Sequence, residues 1–262
     1  MATFKQKLRE FIMAEEQTLV TLILGATGSV GRELLPRLLE RGHQVVLGGR
    51  NVEQLSALSE EFNCRSIHLD SDQPGSIEEA IGEVAKDNQS LDNVVNCIGS
   101  ILLKPAHMTK PSEFEDVLRT NLYSSFEVVR GVASAMRKTG GSVVFLSSAA
   151  AKIGIPNHEA IAAAKAGVEG LARSAAATYV KTGLRFNVVA PGLVRSEMSR
   201  SLWENETSLA ASRAMHPLGR IGEPQDIASL ITWLVEPENN WMTGQVIGVD
   251  GGLSTILTRQ KI

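Results

Sequence analysis

The chain of 262 residues contains few cysteines and few aromatic residues, and its charges nearly cancel. Cys64 and Cys97 are the two cysteines, too few for a disulfide framework, so we expect a reduced, cytoplasmic environment. Aromatic residues make up 5% of the chain, and a net charge of −3 provides no basic surface. These values argue against nucleic acid as a partner.

Long apolar runs are also absent from the sequence. No run approaches the roughly 18 apolar residues that a membrane span needs, and charged residues interrupt the N-terminal segment, so we expect no membrane association and no signal peptide. In residues 1–17, Phe4, Leu8, Phe11 and Ile12 recur at helical spacing. This spacing predicts an amphipathic helix that packs on the domain or on a partner subunit. A helix on a membrane surface fits less well, because its polar face mixes acids with bases.

From Thr18 onwards, short runs rich in Val, Ile and Leu alternate with helical patterns. The runs at 18–24, 44–48, 66–70, 93–97, 142–147, 185–190 and 245–249 are typical of strands buried on both faces. Helical patterns begin near Ser29, Val52, Ser76, Pro111, Asn157 and Pro224. The alternation predicts one α/β domain over residues 18–262, built on a doubly wound parallel sheet with helices on both faces.

A glycine-rich turn, Gly25–Gly31, follows the first strand directly and opens a helix. Glycine allows backbone N–H groups to approach a diphosphate, and a helix N-terminus favours negative charge. Strand, turn and helix in this order indicate a dinucleotide-binding unit, whereas an ordinary glycine-rich connection is the alternative. No Gly-Lys-Ser/Thr sequence follows, so the turn is not a Walker A loop.

The end of the second strand indicates which dinucleotide is bound. An NAD-binding strand would end in Asp or Glu, but the sequence here continues with Arg50 and Asn51. The Arg50 guanidinium is suited to a 2′-phosphate that a carboxylate would repel. The sequence therefore favours NADP(H) over NAD(H), although a solvated arginine at a helix start is the alternative.

Four separated segments resemble motifs of the short-chain dehydrogenase/reductase family. They are Leu91–Gly99, Arg185–Gly192, Gly219–Pro224 and Thr243–Gly252. The resemblance runs from about Thr18 to Gly252 and implies a Rossmann-type sheet of about seven strands in the order 3-2-1-4-5-6-7. The glycine turn differs from the family's larger subgroup, because Ser29 stands where that subgroup has glycine.

The turn and the resemblance together assign a set of cofactor contacts. These contacts are Gly25, Thr27, Gly28, Ser29, Val30, Gly31, Arg50, Asn51, Asp70, Ser71, Asn96, Cys97, Ile98, Gly99, Leu146, Lys165, Pro191, Gly192, Val194 and Ser196.

The resemblance also implies an active site of Asn, Ser, Tyr and Lys. Asn121, Ser148 and Lys165 match three of these positions. Where the tyrosine is expected, four residues before Lys165, the sequence has Ile161, which can neither donate nor accept a proton. The family's proton carrier is therefore missing.

His158 is a tentative substitute for the missing tyrosine. We expect Asn157 to cap the helix that contains Lys165, which would place His158 in the first helical turn, on roughly the same face as Lys165. A neutral imidazole there could donate a hydrogen bond to substrate, whereas a role in capping is the alternative. The other histidines are scattered, so we expect no metal site, and no GxSxG motif indicates a hydrolase.

Two functions remain open at this point. One is an NADP(H)-dependent oxidoreductase acting on a carbonyl, alcohol or activated double bond of a small molecule, with water, Lys165 or His158 in place of the phenol. The other is a non-catalytic, dinucleotide-binding sensor or structural subunit. Small residues along the Lys165 helix and the family resemblance imply a homodimer or homotetramer. The segments 101–107 and 197–215 are expected to cap the pocket, with Met198, Leu202, Trp203 and Met215 as an apolar lid.

Overall fold

The computed structural model describes residues 18–88 and 90–257, and the amphipathic helix predicted for residues 1–17 lies outside these ranges. Seven parallel strands form a sheet in the order β3-β2-β1-β4-β5-β6-β7. The strands are β1 (Val20–Leu24), β2 (Gln44–Gly49), β3 (Arg65–His68), β4 (Asn93–Asn96), β5 (Gly141–Leu146), β6 (Leu184–Pro191) and β7 (Val246–Val249). The predicted fold class and strand order are confirmed.

Helices connect the strands and cover both faces of the sheet. They are α1 (Ser29–Glu40), α2 (Val52–Phe62), α3 (Ser76–Asp87), α4 (Pro111–Leu118), α5 (Ser124–Ala135), α6 (Glu159–Tyr179), α7 (Arg200–Trp203), α8 (Glu206–Met215) and α9 (Pro224–Val235). None of the helices in the described ranges combines the length and the hydropathy that a membrane span requires.

The predicted start of the Lys165 helix is wrong by one residue. Asn157 adopts a left-handed conformation with φ of 66°, and its carbonyl oxygen accepts a hydrogen bond from the backbone N–H of Lys104. A residue in this conformation cannot belong to a right-handed helix. Asn157 therefore lies in the preceding turn, His158 is the N-cap, and α6 begins at Glu159.

Two apolar cores lie on opposite faces of the sheet. Successive side chains of a strand point to opposite faces, so Leu22 and Leu24 of β1 enter one core and Ile23 enters the other. The first core is completed by α3, α5 and α6, and the second by α1, α2 and α9. Burial on both faces explains why the strands consist almost entirely of Val, Ile and Leu.

The sheet changes winding direction between β1 and β4, which pair side by side although β2 and β3 separate them in the chain. The connections after these two strands leave the carboxyl edge in opposite directions and open a crevice, the usual ligand site of such a sheet. The turn after β1, the segment after β4 and the ends of β5 and β6 all reach this edge.

Candidate active site

The turn after β1 is closely packed at its two outer glycines. Gly25 has φ of 74°, and a Cβ there would lie 3.0 Å from the backbone of Cys97 and Ile98. A Cβ on Gly31 would lie 2.8 Å from the backbone of Ala26. A side chain at Gly25 would therefore push the turn away from β4, and a side chain at Gly31 would push it away from the start of α1.

No side chain of α1 itself brings negative charge to the N-terminus of this helix. Gly28 is the N-cap, so no side chain caps the helix, and its first turn contains no acidic residue. The first N–H groups of a helix have no partner within the helix and carry partial positive charge. Gly28, Ser29, Val30 and Gly31 line a cleft, so this end of α1 faces open space. The arrangement fits a diphosphate.

The cleft has a volume of about 340 Å³ and brings together most of the predicted site. Three of the four predicted catalytic residues line it: Asn121, Ser148 and Lys165. Its wall also contains the predicted cofactor contacts Gly28, Ser29, Val30, Gly31, Cys97, Ile98, Gly99, Leu146, Pro191, Gly192, Val194 and Ser196.

Lys165 has unusual surroundings for a lysine. Its side chain is buried, and its Nζ donates to the carbonyl oxygen of Leu146 at 2.9 Å. No ion pair found among residues 18–88 and 90–257 includes it. Burial disfavours the ammonium and lowers the pKa of Lys165 to about 8. Burial also raises the pKa of the neighbouring Cys97 thiol to about 12, so the thiol stays neutral.

Asn121 lies in a π-helical turn, Arg119–Tyr123, between α4 and α5. Its Nδ2 donates to the carbonyl oxygen of Val117 at 2.9 Å and to Oγ of Ser100 at 3.0 Å. Its Oδ1 accepts from the backbone N–H of Ser100 at 3.2 Å. A Cβ on Gly99 would lie 3.1 Å from this Oδ1 and 3.5 Å from Nζ of Lys165. The missing side chain of Gly99 thus lets Asn121 and Lys165 approach the same point.

Ser148 follows β5 and presents its hydroxyl at the cleft. Its Oγ accepts from the backbone N–H of Ala150 at 3.2 Å, which leaves the hydroxyl hydrogen free to donate to a ligand. The adjacent Ser147 is committed elsewhere, because its Oγ donates to Oε1 of Glu169 at 2.8 Å. Of the two serines, Ser148 is the available donor.

Ile161 forms an apolar part of the wall, one helical turn before Lys165. It is 4% exposed and packs in a small cluster with Val117, Ala160 and Ala164. The side chain at this position has no polar atom and can neither donate nor accept a proton.

His158 does not reach the cleft. Its Nδ1 lies 2.8 Å from the carbonyl oxygen of Pro156, and the ring is not part of the cleft wall. The shifted start of α6 explains this position, because His158 precedes the helix instead of lying on the face that presents Lys165. The structure therefore does not bring His158 together with Ser148 and Lys165.

The remaining predicted cofactor residues lie outside the cleft wall. Arg50 is exposed and forms an ion pair with Asp72 at 3.0 Å, and Oδ1 of Asn51 caps α2 by accepting from the N–H of Gln54. Asn96 is buried and its Nδ2 donates to Oγ of Ser125. The residues not in the wall are Gly25, Thr27, Arg50, Asn51, Asp70, Ser71 and Asn96.

The predicted lid is only partly formed by the expected residues. Ile101, Glu197 and Met198 line the cleft, whereas Leu202, Trp203 and Met215 do not. Trp203 instead donates from Nε1 to the carbonyl oxygen of Ser196. The Arg195 guanidinium lies over its ring, with Cζ 4.6 Å from the ring centroid. The sequence did not indicate Ser100, Ser147 and Leu193, three wall residues that each lie directly beside a predicted site residue.

Comparisons with known proteins agree with this architecture. A family model described as enoyl-(acyl carrier protein) reductase matches residues 25–254. The 3-oxoacyl-(acyl-carrier-protein) reductase FabG of Vibrio cholerae is 31% identical over 241 residues, covering 90% of this chain and 98% of that protein. A tropinone reductase homolog of Arabidopsis thaliana is 29% identical over 240 residues, covering 89% of this chain and 91% of the relative.

Solved structures with bound cofactor share the fold. Actinorhodin polyketide ketoreductase with NADPH is 26% identical, with a TM-score of 0.86, and the match covers 93% of this chain and all of that chain (100%). ElxO with NADP bound is 26% identical, with a TM-score of 0.85, and the match covers 90% of this chain and 99% of that one.

Proposed function

The chain belongs to the short-chain dehydrogenase/reductase family of oxidoreductases, and from this premise we propose that it is an NADP(H)-dependent oxidoreductase in which Lys165 takes over the proton chemistry of the missing tyrosine. Its substrate is a small molecule with a carbonyl, alcohol or activated double bond. The observation that carries the proposal is the convergence of Ser148, Asn121 and Lys165 on one cleft beneath the uncapped end of α1.

The described residues fit a dinucleotide. The N-terminus of α1 at Ser29–Gly31 would hold the diphosphate, and the Pro191–Gly192 turn and Lys165 would flank the nicotinamide end. Gly28 leaves room for the diphosphate. A Cβ at this position would have only one protein neighbour within 4 Å, the Gly25 carbonyl oxygen at 3.3 Å. When bound, the reduced cofactor supplies the hydride.

In reduction of a carbonyl, the carbon receives the hydride and the oxygen receives a proton. The Ser148 hydroxyl donates a hydrogen bond to this oxygen, and the Lys165 ammonium gives up one proton from Nζ and becomes a neutral amine. Because the pKa of Lys165 is lowered to about 8, both protonation states are populated near neutral pH. This is the condition for efficient general acid–base catalysis.

We assign the preference for NADP(H) to Arg50. Its guanidinium is 69% exposed, near the end of β2, and can bind a 2′-phosphate through paired hydrogen bonds. Asp72 competes for the same guanidinium. The NADP and NADPH bound to the two structural relatives support the same preference.

A non-catalytic, dinucleotide-binding sensor or structural subunit is the second candidate. One observation favours it: Ile161 is buried in an apolar cluster, so the wall beside Lys165 is built for packing. In that case the cofactor would bind and no carbonyl would be reduced.

Replacing Ile161 distinguishes the two candidates. Ile161→Tyr places a phenol one turn from Lys165, and we expect carbonyl reduction to rise by a factor of about ten or more, since acid–base catalysis is worth about 10²–10⁴-fold. Ile161→Phe is the matched control, because it adds the ring without the hydroxyl and should give no gain. Reduction of a panel of carbonyl compounds is followed as loss of NADPH absorbance, with NADPH affinity measured in parallel.

Each outcome has a distinct meaning. Weak turnover in the unsubstituted protein and a gain only with Tyr support the reductase. Tight NADPH binding with no turnover in any of the three proteins supports the sensor.

We also propose that the protein is a cytoplasmic homodimer or homotetramer. Phe114, Tyr123 and Phe126 on or next to α4 and α5 are each 38–43% exposed, which is unusual for aromatic side chains and suits a subunit contact. The two cysteines, Cys64 and Cys97, are unpaired, as expected in a reducing compartment. The molecular mass in solution tests the assembly.

A further inference from the structure

Two short helices beside the cleft are only weakly held by packing. α7 and α8 follow the cleft-lining segment that ends at Ser199, and none of the ten residues of α8 is buried. Segments with few buried contacts open at low free-energy cost. Something other than apolar packing must therefore fix the position of α8.

His216 directly follows α8 and is 4% exposed. Its Nδ1 lies 2.7 Å from the carbonyl oxygen of Ser212, within α8, and its Nε2 lies 3.1 Å from the backbone nitrogen of Leu193. A carbonyl oxygen only accepts and a backbone N–H only donates. The ring is therefore neutral, with hydrogen on Nδ1 and a lone pair on Nε2.

The ring is closely fitted to the turn at the end of β6. A Cβ on Gly192 would lie 2.5 Å from Nε2 of His216, so only glycine lets the ring approach this closely. Gly192 and Leu193 line the cleft, whereas His216 lies behind them in the wall of a second cavity of about 410 Å³. The imidazole thus supports the cleft wall from the far side without touching the cleft.

We propose that His216 is a positioning residue that ties the C-terminal end of α8 to the Pro191–Leu193 turn, so that α8 and the nicotinamide side of the cleft move as one unit. On the other side of the turn, the carbonyl oxygen of Leu193 accepts from the N–H of Gly222 at 2.8 Å. The backbone N–H of Leu193 itself donates to Nε2 of His216. Loss of that acceptor would leave a backbone donor unsatisfied and free the turn to shift.

The tie couples the position of α8 and cofactor binding in both directions. A ligand that orders the Pro191–Leu193 turn must also favour the position of α8, and the reverse holds by linkage. We therefore expect NADPH to protect the exposed Arg213 of α8 against trypsin. This consequence rests on the proposed function, namely that the cleft binds NADP(H).

Two substitutions at His216 separate its two hydrogen bonds. His216→Asn keeps a donor near the Nδ1 position but withdraws the group that faces Leu193. His216→Gln places an amide near the Nε2 position and can still accept from Leu193. Both variants keep a polar side chain of moderate size, so a general loss of packing would affect both.

The test compares both variants with the unsubstituted protein by amide hydrogen exchange of Leu193 without ligand, trypsin cleavage after Arg213 with and without NADPH, and NADPH affinity. We expect His216→Asn to exchange Leu193 at least tenfold faster, to bind NADPH at least fivefold more weakly and to lose protection of Arg213. His216→Gln should remain close to the unsubstituted protein in all three measurements. At saturating NADPH, kcat of the Asn variant should change less than the apparent KM for NADPH.

Unchanged exchange of Leu193 in a folded His216→Asn protein would overturn the inference. Equal effects of Asn and Gln would also overturn it, because they would assign the loss to packing. If no variant binds NADPH but Leu193 exchanges faster only with Asn, the proposed function fails and the tie between α8 and the turn stands.

Discussion

Among single residues, Lys165 is the titratable group on which the proposed proton transfer depends. Its Nζ is buried beside Leu146 and Gly99, with a carbonyl oxygen as hydrogen-bond partner, and it takes part in no ion pair within the part of the chain that the structure describes. A lysine in these surroundings releases its proton more readily than one in water, which is why the pKa of Lys165 is lowered to about 8. The same side chain can thus hold a ligand and transfer a proton.

The pH dependence of reduction follows from this pKa. Reduction needs the ammonium form, so kcat/KM, which reports the free enzyme, should be constant at low pH and should fall about tenfold per unit as the pH rises above about 8. In Lys165→Arg, the guanidinium keeps the charge but cannot release a proton in this range, so we expect slow turnover without this fall. Steady-state rates from pH 6 to 10 test the assignment, and an unchanged profile in Lys165→Arg would speak against it.

A second prediction concerns the ion pair between Arg50 and Asp72. Arg50→Asp should reverse the preference between NADPH and NADH, because a carboxylate repels a 2′-phosphate and binds a ribose hydroxyl. Asp72→Asn should strengthen NADPH binding by a few fold, since it frees the Arg50 guanidinium; the exposed pair itself contributes little to stability. Dissociation constants for both dinucleotides test this. Unchanged NADPH affinity in Arg50→Asp would remove Arg50 from the cofactor site.

The predicted site residues that lie together in the structure are mostly those that a motif fixes to a strand end. Ser148 and Pro191 end or follow parallel strands, so they meet at the same edge of the sheet as the glycine turn. The structure places His158 outside the cleft wall, because Asn157 is left-handed and α6 therefore begins later than expected. His216 was missed because its contact with Leu193 joins segments that no local pattern connects.

At the scale of elements, close approach of helices depends on small residues. Gly131 of α5 lies against α3, where a Cβ would be 2.9 Å from Cδ1 and 3.1 Å from Cβ of the fully buried Ile81. Gly82, the next residue in α3, is exposed, and a Cβ there would meet nothing within 4 Å. The same substitution should therefore have opposite effects at the two positions.

We expect Gly131→Ala to destabilise the protein by about 1–3 kcal/mol, the usual cost of overpacking. Gly82→Ala should stabilise it by about 0.5–1 kcal/mol, because alanine favours a helix over glycine. Urea unfolding of both variants tests the pair. Equal shifts in the same direction would show that α3 and α5 do not pack as described.

The sequence predicted the strands and most helices because their buried faces impose periodic patterns. It identified 197–215 as a cap but not as helices, since α8 buries none of its residues and so has no apolar stripe. The π-helical turn at Arg119–Tyr123 was also missed. Asn121 in this turn contacts Ser100, which lies on another segment, so no local sequence pattern marks the turn.

At the scale of the whole molecule, a buried histidine joins the sheet to the helix α9. His43 precedes β2, and its Nδ1 lies 2.8 Å from Oγ1 of Thr21 in β1. Its Nε2 lies 3.5 Å from Oε1 of Glu236, which follows α9. Burial lowers the pKa of His43 below its ordinary value of 6.5, and Glu236 opposes this shift only in part.

Stability should therefore decrease when the pH is lowered. The unfolded chain takes up a proton at His43 more readily than the folded chain does, so the free energy of unfolding should fall as the pH drops through the ordinary value of 6.5. In His43→Gln, the fall between pH 7.5 and 5.5 should be smaller. Urea unfolding at several pH values measures this difference, and identical slopes for both proteins would show that His43 is not responsible.

We propose that the crevice at the carboxyl edge of the sheet binds NADP(H) with its reactive end beside Lys165 and Ser148. A crystal structure of the protein with excess NADPH tests it most directly. We predict the diphosphate at the N-terminus of α1, the 2′-phosphate at Arg50 and the nicotinamide between Lys165 and the Pro191–Gly192 turn. An empty cleft, or NADPH bound elsewhere on the molecule, would contradict the account.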